Sequence, residues 1–166
     1  MDGPEGHAMS HPEEAQTEAV MRGCVLANAA ECPLYVTSVM SGAAADIIRR
    51  RKDKGYMVVG EVTPAGLVAD GSNYWNQSWV HSASYVCTPP LREGETENLL
   101  SSAADGNLEV IASQHRPYNS KQKSLGATNF KMIPKGVPGQ NLFLLNIILS
   151  KGRCFKNLFM AEYMYI

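Results

Sequence analysis

Small and apolar residues recur at helical spacing near the start of the chain, at Ala19, Gly23, Leu26 and Ala30. Ser10 and Glu13 precede them at the spacing of a capping box, in which each side chain accepts a hydrogen bond from the other residue's backbone N–H. Pro12 falls in the first turn, where a missing backbone N–H is tolerated. This pattern predicts a helix over residues 11–30.

Three apolar runs of strand length follow, rich in β-branched residues and without regular polar alternation, at residues 34–40, 57–62 and 108–113. Runs of this kind are typical of parallel strands that are covered on both faces. Between the first two runs, Ser41 can cap a second helix through its hydroxyl, and Gly55 can end that helix.

Two shorter helices are predicted over residues 77–86 and 97–104, after a loop over residues 64–73. The alternation of strands and helices predicts an α/β fold with a parallel sheet or barrel. The character of the sequence changes after Pro138, where an apolar stretch is followed by a basic and aromatic one. We therefore predict a domain over residues 1–139 and a divergent C-terminal tail over residues 140–166.

The composition is that of a globular protein, with 45% hydrophobic and 19% charged residues. The 15 basic and 16 acidic residues give a net charge of -1, which creates no field that would attract nucleic acid or an anionic membrane. The longest apolar stretch, residues 142–149, is far shorter than the ~20 residues that cross a bilayer. Neither nucleic acid nor a membrane is expected as a partner.

The four cysteines, at positions 24, 32, 87 and 154, show neither a C-x-x-C pair nor the spacing of a zinc cluster. Free thiols in a reducing compartment are the simplest interpretation. The acidic, turn-rich N-terminus resembles neither a secretory signal nor a transit peptide. These features predict a cytoplasmic protein.

Functional side chains of parallel α/β barrels project from the carboxyl ends of the strands. At the predicted strand ends, Glu61 and His115 are the only residues of a type that commonly binds a metal ion in a hydrolase. Hydrolytic metal centres take three or more such ligands. An assembled metal site is therefore not expected.

The other histidines are expected to be structural. His7 and His11 stand four residues apart, but a helix capped by Ser10 leaves His7 outside it, so both are predicted to lie in turns or on the surface. His81 lies near two tryptophans, and ring stacking or packing is expected there rather than catalysis.

Several separated motifs, in the same order, resemble the dihydropyrimidinases and their non-enzymatic relatives, the collapsin response mediator proteins: GPEGH, S-x-P-E-E, CPLYVTSVMS, DGSNYWNQSW, TPPLR, NSKQKSLG and the stretch 129–134. The likeness covers residues 3–139. It implies that the chain corresponds to the later βα units of an amidohydrolase TIM barrel, as an internal fragment, since a complete family member is several times longer.

The resemblance also bears on catalysis. Active relatives hydrolyse cyclic amides such as dihydropyrimidines and hydantoins with two zinc ions, held by histidines, a carbamylated lysine and an aspartate. Ser38 stands at the position of a zinc-binding histidine of these enzymes, and Gln114 at that of their catalytic aspartate. A hydroxyl is a poor replacement for imidazole, and an amide cannot take up a proton. The resemblance therefore implies a degenerate site with neither a catalytic residue nor a bound cofactor.

Two further positions match residues with which enzymes of the family contact the ring of the substrate. Asn119 matches such a position, and Thr88 matches another more loosely. These residues are expected to form the remnant of a substrate pocket.

Together these features favour a non-catalytic, mediator-like scaffold or interaction protein. The resemblance implies self-association with family-like chains, in tetramers, and binding to tubulin or other cytoskeletal proteins. Two alternatives stay open: a zinc-dependent hydrolase of cyclic amides, and a truncated chain with no independent role.

Overall fold

The computed structural model describes residues 2–139 and the backbone of Phe159–Ala161. Two helices, α1 (Glu5–Met9) and α2 (Glu13–Ala29), come before the first strand. The sheet strands are β1 (Leu34–Val36), β2 (Val58–Val62), β3 (Val110–Ala112) and β4 (Phe159–Ala161).

Helices connect the strands. Helix α3 (Gly42–Asp53) joins β1 to β2, and the longer connection from β2 to β3 contains α4 (Pro64–Val68), a 3₁₀-helix (Gly71–Trp75), α5 (Trp79–Ser84) and α6 (Thr96–Ala104). After β3 come α7 (Ser120–Lys123) and two 3₁₀-helices, Ser124–Gly126 and Phe130–Met132.

The strands form one parallel sheet in the order β1-β2-β3-β4. Tyr35 pairs with Val59, Val62 with Ile111, and Ile111 with Met160. Because parallel strands need a crossover connection, the intervening helices cover the sheet, and β2 and β3 are largely buried. The predicted cover on both faces is wrong for β1, where Tyr35 is 43% exposed because the strand lies at the end of the sheet order. The predicted α/β fold with parallel strands and alternating helices is confirmed.

The core has two parts. The first contains Val58, Val62 and Ile111 of the sheet and packs against α2, α3 and α6. The second lies under the loops after β2 and is centred on Tyr74, which is 1% exposed. The Tyr74 hydroxyl donates to the carbonyl of Tyr85 at 3.2 Å and accepts from the backbone N–H of Leu91 at 3.1 Å, so the polar tip of this buried ring is paired.

Two predicted signals at helix α3 are confirmed. The Ser41 hydroxyl accepts a hydrogen bond from the backbone N–H of Ala44 at 3.3 Å and caps the helix. The chain turns away at Gly55, which has a φ of 83°, a conformation that glycine adopts without strain.

The predicted capping box at Ser10 is wrong. The residue that caps α2 is Pro12, without a side-chain hydrogen bond, whereas the Ser10 hydroxyl donates to the carbonyl of His7 at 3.0 Å. Ser10 is instead the C-terminal cap of α1, a helix that the sequence pattern did not indicate. The helix itself, predicted over residues 11–30, is present as Glu13–Ala29.

The predicted loop over residues 64–73 is also wrong. Thr63 caps α4 by accepting from the backbone N–H of Gly66 at 3.2 Å, and Pro64 occupies the first turn. Asp70 caps the following 3₁₀-helix by accepting from the N–H of Ser72 at 2.8 Å. Both caps were recognisable in the sequence, because threonine and aspartate are favoured residues just before a helix and proline is favoured in its first turn.

Residues 140–166, predicted as a divergent tail, lie outside the described residues except for the backbone of Phe159–Ala161, which forms β4. Within the part that the structure describes, no helix is long and apolar enough to span a bilayer.

Candidate functional site

The carboxyl ends of β1, β2 and β3 bring together three polar side chains from distant parts of the sequence. The side-chain nitrogen of Gln114 donates to the hydroxyl of Ser38 at 2.5 Å and to Oε1 of Glu61 at 2.6 Å. The two residues that the resemblance places at metal-site positions, Ser38 and Gln114, are therefore in direct contact, and Glu61 joins them.

Backbone conformation directs these side chains toward each other. Ser38 has a φ of 54° and Gln114 a φ of 41°, a left-handed conformation that is uncommon for residues with a side chain. The left-handed backbone at Ser38 explains why β1 ends at Val36 and does not reach the predicted end at residue 40. The Ser38 carbonyl is held by the side-chain nitrogen of Gln16 at 2.9 Å, so α2 supports this turn of the chain.

Glu61 is the buried centre of the site, with 0% of its surface exposed. Its second oxygen, Oε2, accepts a hydrogen bond from the hydroxyl of Tyr35 at 2.8 Å. Because a carboxylate offers only acceptors, the amide nitrogen of Gln114 rather than its oxygen must face Glu61. The role of Tyr35 was not predicted, since nothing in an apolar run marks one residue as a partner of the next strand.

These residues do not fit the zinc ions that the resemblance implies. Glu61 is the only anionic group of the three, and the amide N–H groups of Gln114 point to the space between Ser38 and Glu61. A metal ion needs lone pairs there, whereas an amide nitrogen supplies hydrogen-bond donors. Among residues 2–139, no group of three or more histidine, cysteine, aspartate or glutamate side chains could hold a metal ion.

A cavity of about 300 Å³ opens beside Gln114. Its lining comes from the ends of β2 and β3 and from two loops: Met40, Thr63, Ala65, Cys87, Thr88, Pro89, Ser113, Gln114, Arg116, Lys135, Gly136 and Val137. The lining contains no aspartate or glutamate and carries two basic side chains, Arg116 and Lys135. A space of this size can hold a small molecule.

The two residues predicted as a pocket remnant lie in different places. Thr88 lines the cavity, with its hydroxyl 3.5 Å from Nε2 of His7. Asn119 caps the short helix α7, accepting from the N–H of Gln122 at 2.9 Å while the Gln122 side chain accepts from the Asn119 N–H. Asn119 is exposed and does not line the cavity.

The surface position predicted for His7 is wrong, because this side chain is 0% exposed. It lies in α1, with Nε2 2.7 Å from the carbonyl of Cys87 and its ring 4.6 Å from that of His11. Burial lowers the pKa of His7 from 6.5 to about 4, so the ring is neutral at physiological pH. His7 thus supports the loop that carries Thr88.

His81 packs as predicted, although its partner is a tyrosine. Its ring lies 5.0 Å from the ring of Tyr85, and Nε2 is 2.9 Å from the side-chain oxygen of Asn73. His115, next to Gln114, is half-buried.

Sequence reasoning missed Lys123, which is only 4% exposed. Its ammonium donates to the carbonyls of Val86 at 3.1 Å, Pro134 at 2.7 Å and Gly136 at 3.0 Å. Burial lowers the pKa of Lys123 from 10.5 to about 8. Nothing in the polar segment around residue 123 distinguishes a buried lysine from a solvated one.

The chain is similar to several known proteins. A "Dihydropyrimidinase 2" of Caenorhabditis briggsae is 47% identical over 152 residues, covering 90% of this chain and 29% of that protein. A "Dihydropyrimidinase-related protein 5" of Mus musculus is 42% identical over 139 residues, covering 82% of this chain and 25% of that protein. No family model matches.

Similar solved structures come from the same group of enzymes. The D-hydantoinase of a Bacillus sp. AR9 aligns with a TM-score of 0.79 and 38% identity, over 82% of this chain and 30% of that chain. The dihydropyrimidinase of Brevibacillus agri aligns with the same TM-score, identity and coverage. These neighbours are TIM barrels, and the described fold corresponds to part of such a barrel.

The chain spans less than a third of the length of these relatives, but the alignments cover 82% to 90% of its own residues. By sequence and by fold, this chain belongs to the family of the dihydropyrimidinases and dihydropyrimidinase-related proteins, within the amidohydrolase superfamily.

Proposed function

We propose that this chain is a non-catalytic member of its family that acts as a scaffold or interaction protein. The observation that supports this proposal most directly is the contact of Gln114 with Ser38 and Glu61. The Gln114 amide places hydrogen-bond donors at the centre of the site and connects the ends of three strands. A metal-dependent enzyme would need metal ligands at the same place.

The chemistry of amide hydrolysis supports the same proposal. Opening a cyclic amide requires an activated water, which in metal-dependent hydrolases is a metal-bound hydroxide, and a group that can accept and return a proton. Ser38 and Gln114 are neutral groups that do not exchange protons near neutral pH. Glu61 could act as a base, but both its oxygens already accept hydrogen bonds, and its side chain is fully buried.

The second candidate function is a hydrolase of cyclic amides. It is favoured by the similarity to dihydropyrimidinases and by the cavity of about 300 Å³ that retains Thr88 beside Gln114. The two candidates differ in metal content and in turnover, so both can be measured on the same preparation.

The first experiment is elemental analysis of the purified chain after dialysis against zinc, followed by an assay for ring opening of dihydrouracil with zinc present. We expect no stoichiometric zinc and no turnover. About two zinc ions per chain together with turnover would establish the hydrolase instead. The double variant Ser38→His, Gln114→Asp is the matched comparison: next to Glu61 it offers three ligands, so it should retain more zinc than the wild type.

We further propose that the protein self-associates in the cytoplasm, with itself or with family-like chains, and that its partners include cytoskeletal proteins such as tubulin. Strand β1 lies at the end of the sheet order, which leaves one backbone edge without a strand neighbour among the described residues. Such an edge is a template for pairing with another chain. Cys24, Cys32 and Cys87 are free thiols, which suits a reducing compartment.

A further inference from the structure

The lining of the cavity beside Gln114 carries positive charge and no negative charge. Of the twelve residues in it, Arg116 and Lys135 are cations at neutral pH, and none is an aspartate or glutamate. Both cations are exposed, so a ligand that enters from solvent can reach them. Charges of one sign along a concave surface concentrate ligands of the opposite sign.

The two cations lie next to each other. A Cβ on Gly136, the residue after Lys135, would come within 2.5 Å of the Cβ of Arg116, so the missing carbon lets Arg116 pack against this backbone. The N–H of Arg116 also donates to the carbonyl of Val137 at 3.1 Å, which fixes the end of β3 to the same segment. Among residues 2–139, no carboxylate forms an ion pair with Lys135.

Half of the carbonyl oxygens of the lining residues are already occupied inside the protein. A carbonyl oxygen that faced the cavity would repel an anion, because both are hydrogen-bond acceptors. Six of these carbonyls accept from donors of the chain itself, at distances of 2.7 to 3.4 Å: Thr63, Ala65, Cys87, Pro89, Gly136 and Val137. The lining therefore presents donors more than acceptors.

Lys123 adds a third positive charge behind the lining. Its ammonium donates to the carbonyls of Val86, Pro134 and Gly136, which flank or belong to the cavity walls, and the side chain is only 4% exposed. Lys123 does not line the cavity, so it contributes to the positive potential without contacting a ligand.

Glu61 is the opposing charge, and it also lies behind the lining. Its side chain is fully buried, and its two oxygens accept hydrogen bonds from Tyr35 and Gln114. Gln114 thus stands between this carboxylate and the cavity. One paired negative charge faces three positive charges, of which two can touch a ligand.

We propose that the cavity binds a small oxyanion, a carboxylate or a phosphate, through Lys135 and Arg116. The hydroxyls of Thr88 and Ser113 lie in the same lining and supply further donors. Guanidinium and ammonium groups bind both kinds of oxyanion through charge-assisted hydrogen bonds. The site selects a charged ligand over an uncharged cyclic amide, and this binding does not depend on the proposed scaffold function.

The test is a nuclear magnetic resonance titration of the full chain, labelled with nitrogen-15, at pH 7. Inorganic phosphate, succinate and dihydrouracil are added in separate titrations. At least one of the two anions should bind with a Kd of about 1 mM and shift the amide signals of Thr88 and Gly136. The anion that binds more tightly identifies the phosphate or the carboxylate as the recognised group. Dihydrouracil should bind at least about tenfold more weakly.

Substitutions at one exposed position measure the contribution of charge. Lys135→Met should weaken anion binding by about fivefold, the effect of losing one partly solvated ion pair, and Lys135→Glu should abolish saturable binding. Lys131→Met is the matched control, because Lys131 is an exposed lysine of the same segment that does not line the cavity. It should bind as the wild type does.

Three results would overturn the proposal. The first is that neither anion binds to the wild type below about 10 mM, or that the shifts occur away from Thr88 and Gly136. The second is equal binding by Lys135→Met and Lys131→Met. The third is tighter binding of dihydrouracil than of either anion. The wild-type titrations decide the first and third, so the proposal stays testable if a variant does not fold.

Discussion

Glu61 is a fully buried carboxylate whose two oxygens accept hydrogen bonds from Gln114 and Tyr35. Burying a charge without such donors would cost several kcal/mol, so each donor stabilises the folded state more than an ordinary surface hydrogen bond does. Individual residues at the strand ends thus affect stability in a way that their sequence context does not suggest.

Replacing Gln114 with leucine should lower the free energy of unfolding by about 2 kcal/mol, because Glu61 and Ser38 lose their shared donor while the volume is retained. Urea denaturation followed by circular dichroism measures the change. Gln77→Leu, at an exposed position, is the control and should stay within about 0.5 kcal/mol of the wild type. Equal effects of the two substitutions would mean that the Gln114 contacts contribute little.

His7 makes a second prediction at the scale of one residue. Its pKa is lowered to about 4 in the folded protein, mainly by burial, against 6.5 for the exposed side chain. The unfolded chain therefore binds more protons between these values, and stability should decrease as the pH falls from 6.5 to 4, by about 3 kcal/mol from this residue.

Urea denaturation at pH 7, 5.5 and 4 tests this prediction, with His7→Gln compared to the wild type. The variant should show a weaker dependence on pH. His81→Gln removes a half-buried histidine elsewhere and should retain the wild-type dependence. If His7→Gln and the wild type lose stability in parallel, other groups account for the acid sensitivity.

At the scale of helices and strands, local caps decide where elements begin. Ser41 is buried and caps α3, whereas Ser10, which has an equally suitable sequence context, bonds to the turn before it. The difference arises because Pro12 adopts an extended conformation with a ψ of 156° and takes the cap position of α2 itself.

Ser41→Ala should therefore destabilise the protein by about 1 kcal/mol, because the N–H of Ala44 loses its acceptor at a buried helix start. Thermal denaturation of the variant measures the loss. Ser10→Ala should change stability by less than about 0.5 kcal/mol, as expected for an exposed serine that caps no helix start. A larger loss of stability in Ser10→Ala would support the capping box that the sequence pattern predicted.

At the scale of the whole molecule, exposed apolar side chains lie near the first two strands of the sheet. Met57, which is 70% exposed, precedes β2 and accepts through its carbonyl from the N–H of Leu34 in β1, and Tyr35 of β1 is 43% exposed. Exposed apolar side chains on a sheet with an unpaired strand edge favour association with another chain.

Met57→Lys should therefore reduce self-association, measured by size-exclusion chromatography with light scattering at several protein concentrations. A lysine at this exposed apolar position opposes association through its charge and hydration. Leu125→Lys is the matched control, because Leu125 is 71% exposed in the 3₁₀-helix after α7 and does not adjoin β1. A wild type that is monomeric at all concentrations would contradict the proposed self-association.

Much of the fold could be predicted because its signals are local. The strands at residues 34–36, 58–62 and 110–112 fall within the predicted apolar runs, and the Ser41 cap and the Gly55 turn act over a few residues. The first and third strands were predicted to extend further than they do. The left-handed backbone at Ser38 and Gln114, beyond the observed strand ends, is set by contacts with other strands rather than by a glycine in the sequence.

The sequence by itself determined the parallel α/β architecture, the family, and the absence of usual zinc ligands at Ser38 and Gln114, because hydrophobic period, turn residues and motif order are properties of the chain. Only the tertiary structure decided that Gln114 bonds Ser38 and Glu61, that His7 is buried, and that the buried ammonium of Lys123 bonds three backbone carbonyls. These contacts join residues 11 to 80 positions apart in the sequence, and the burial that accompanies them arises only when the strands assemble.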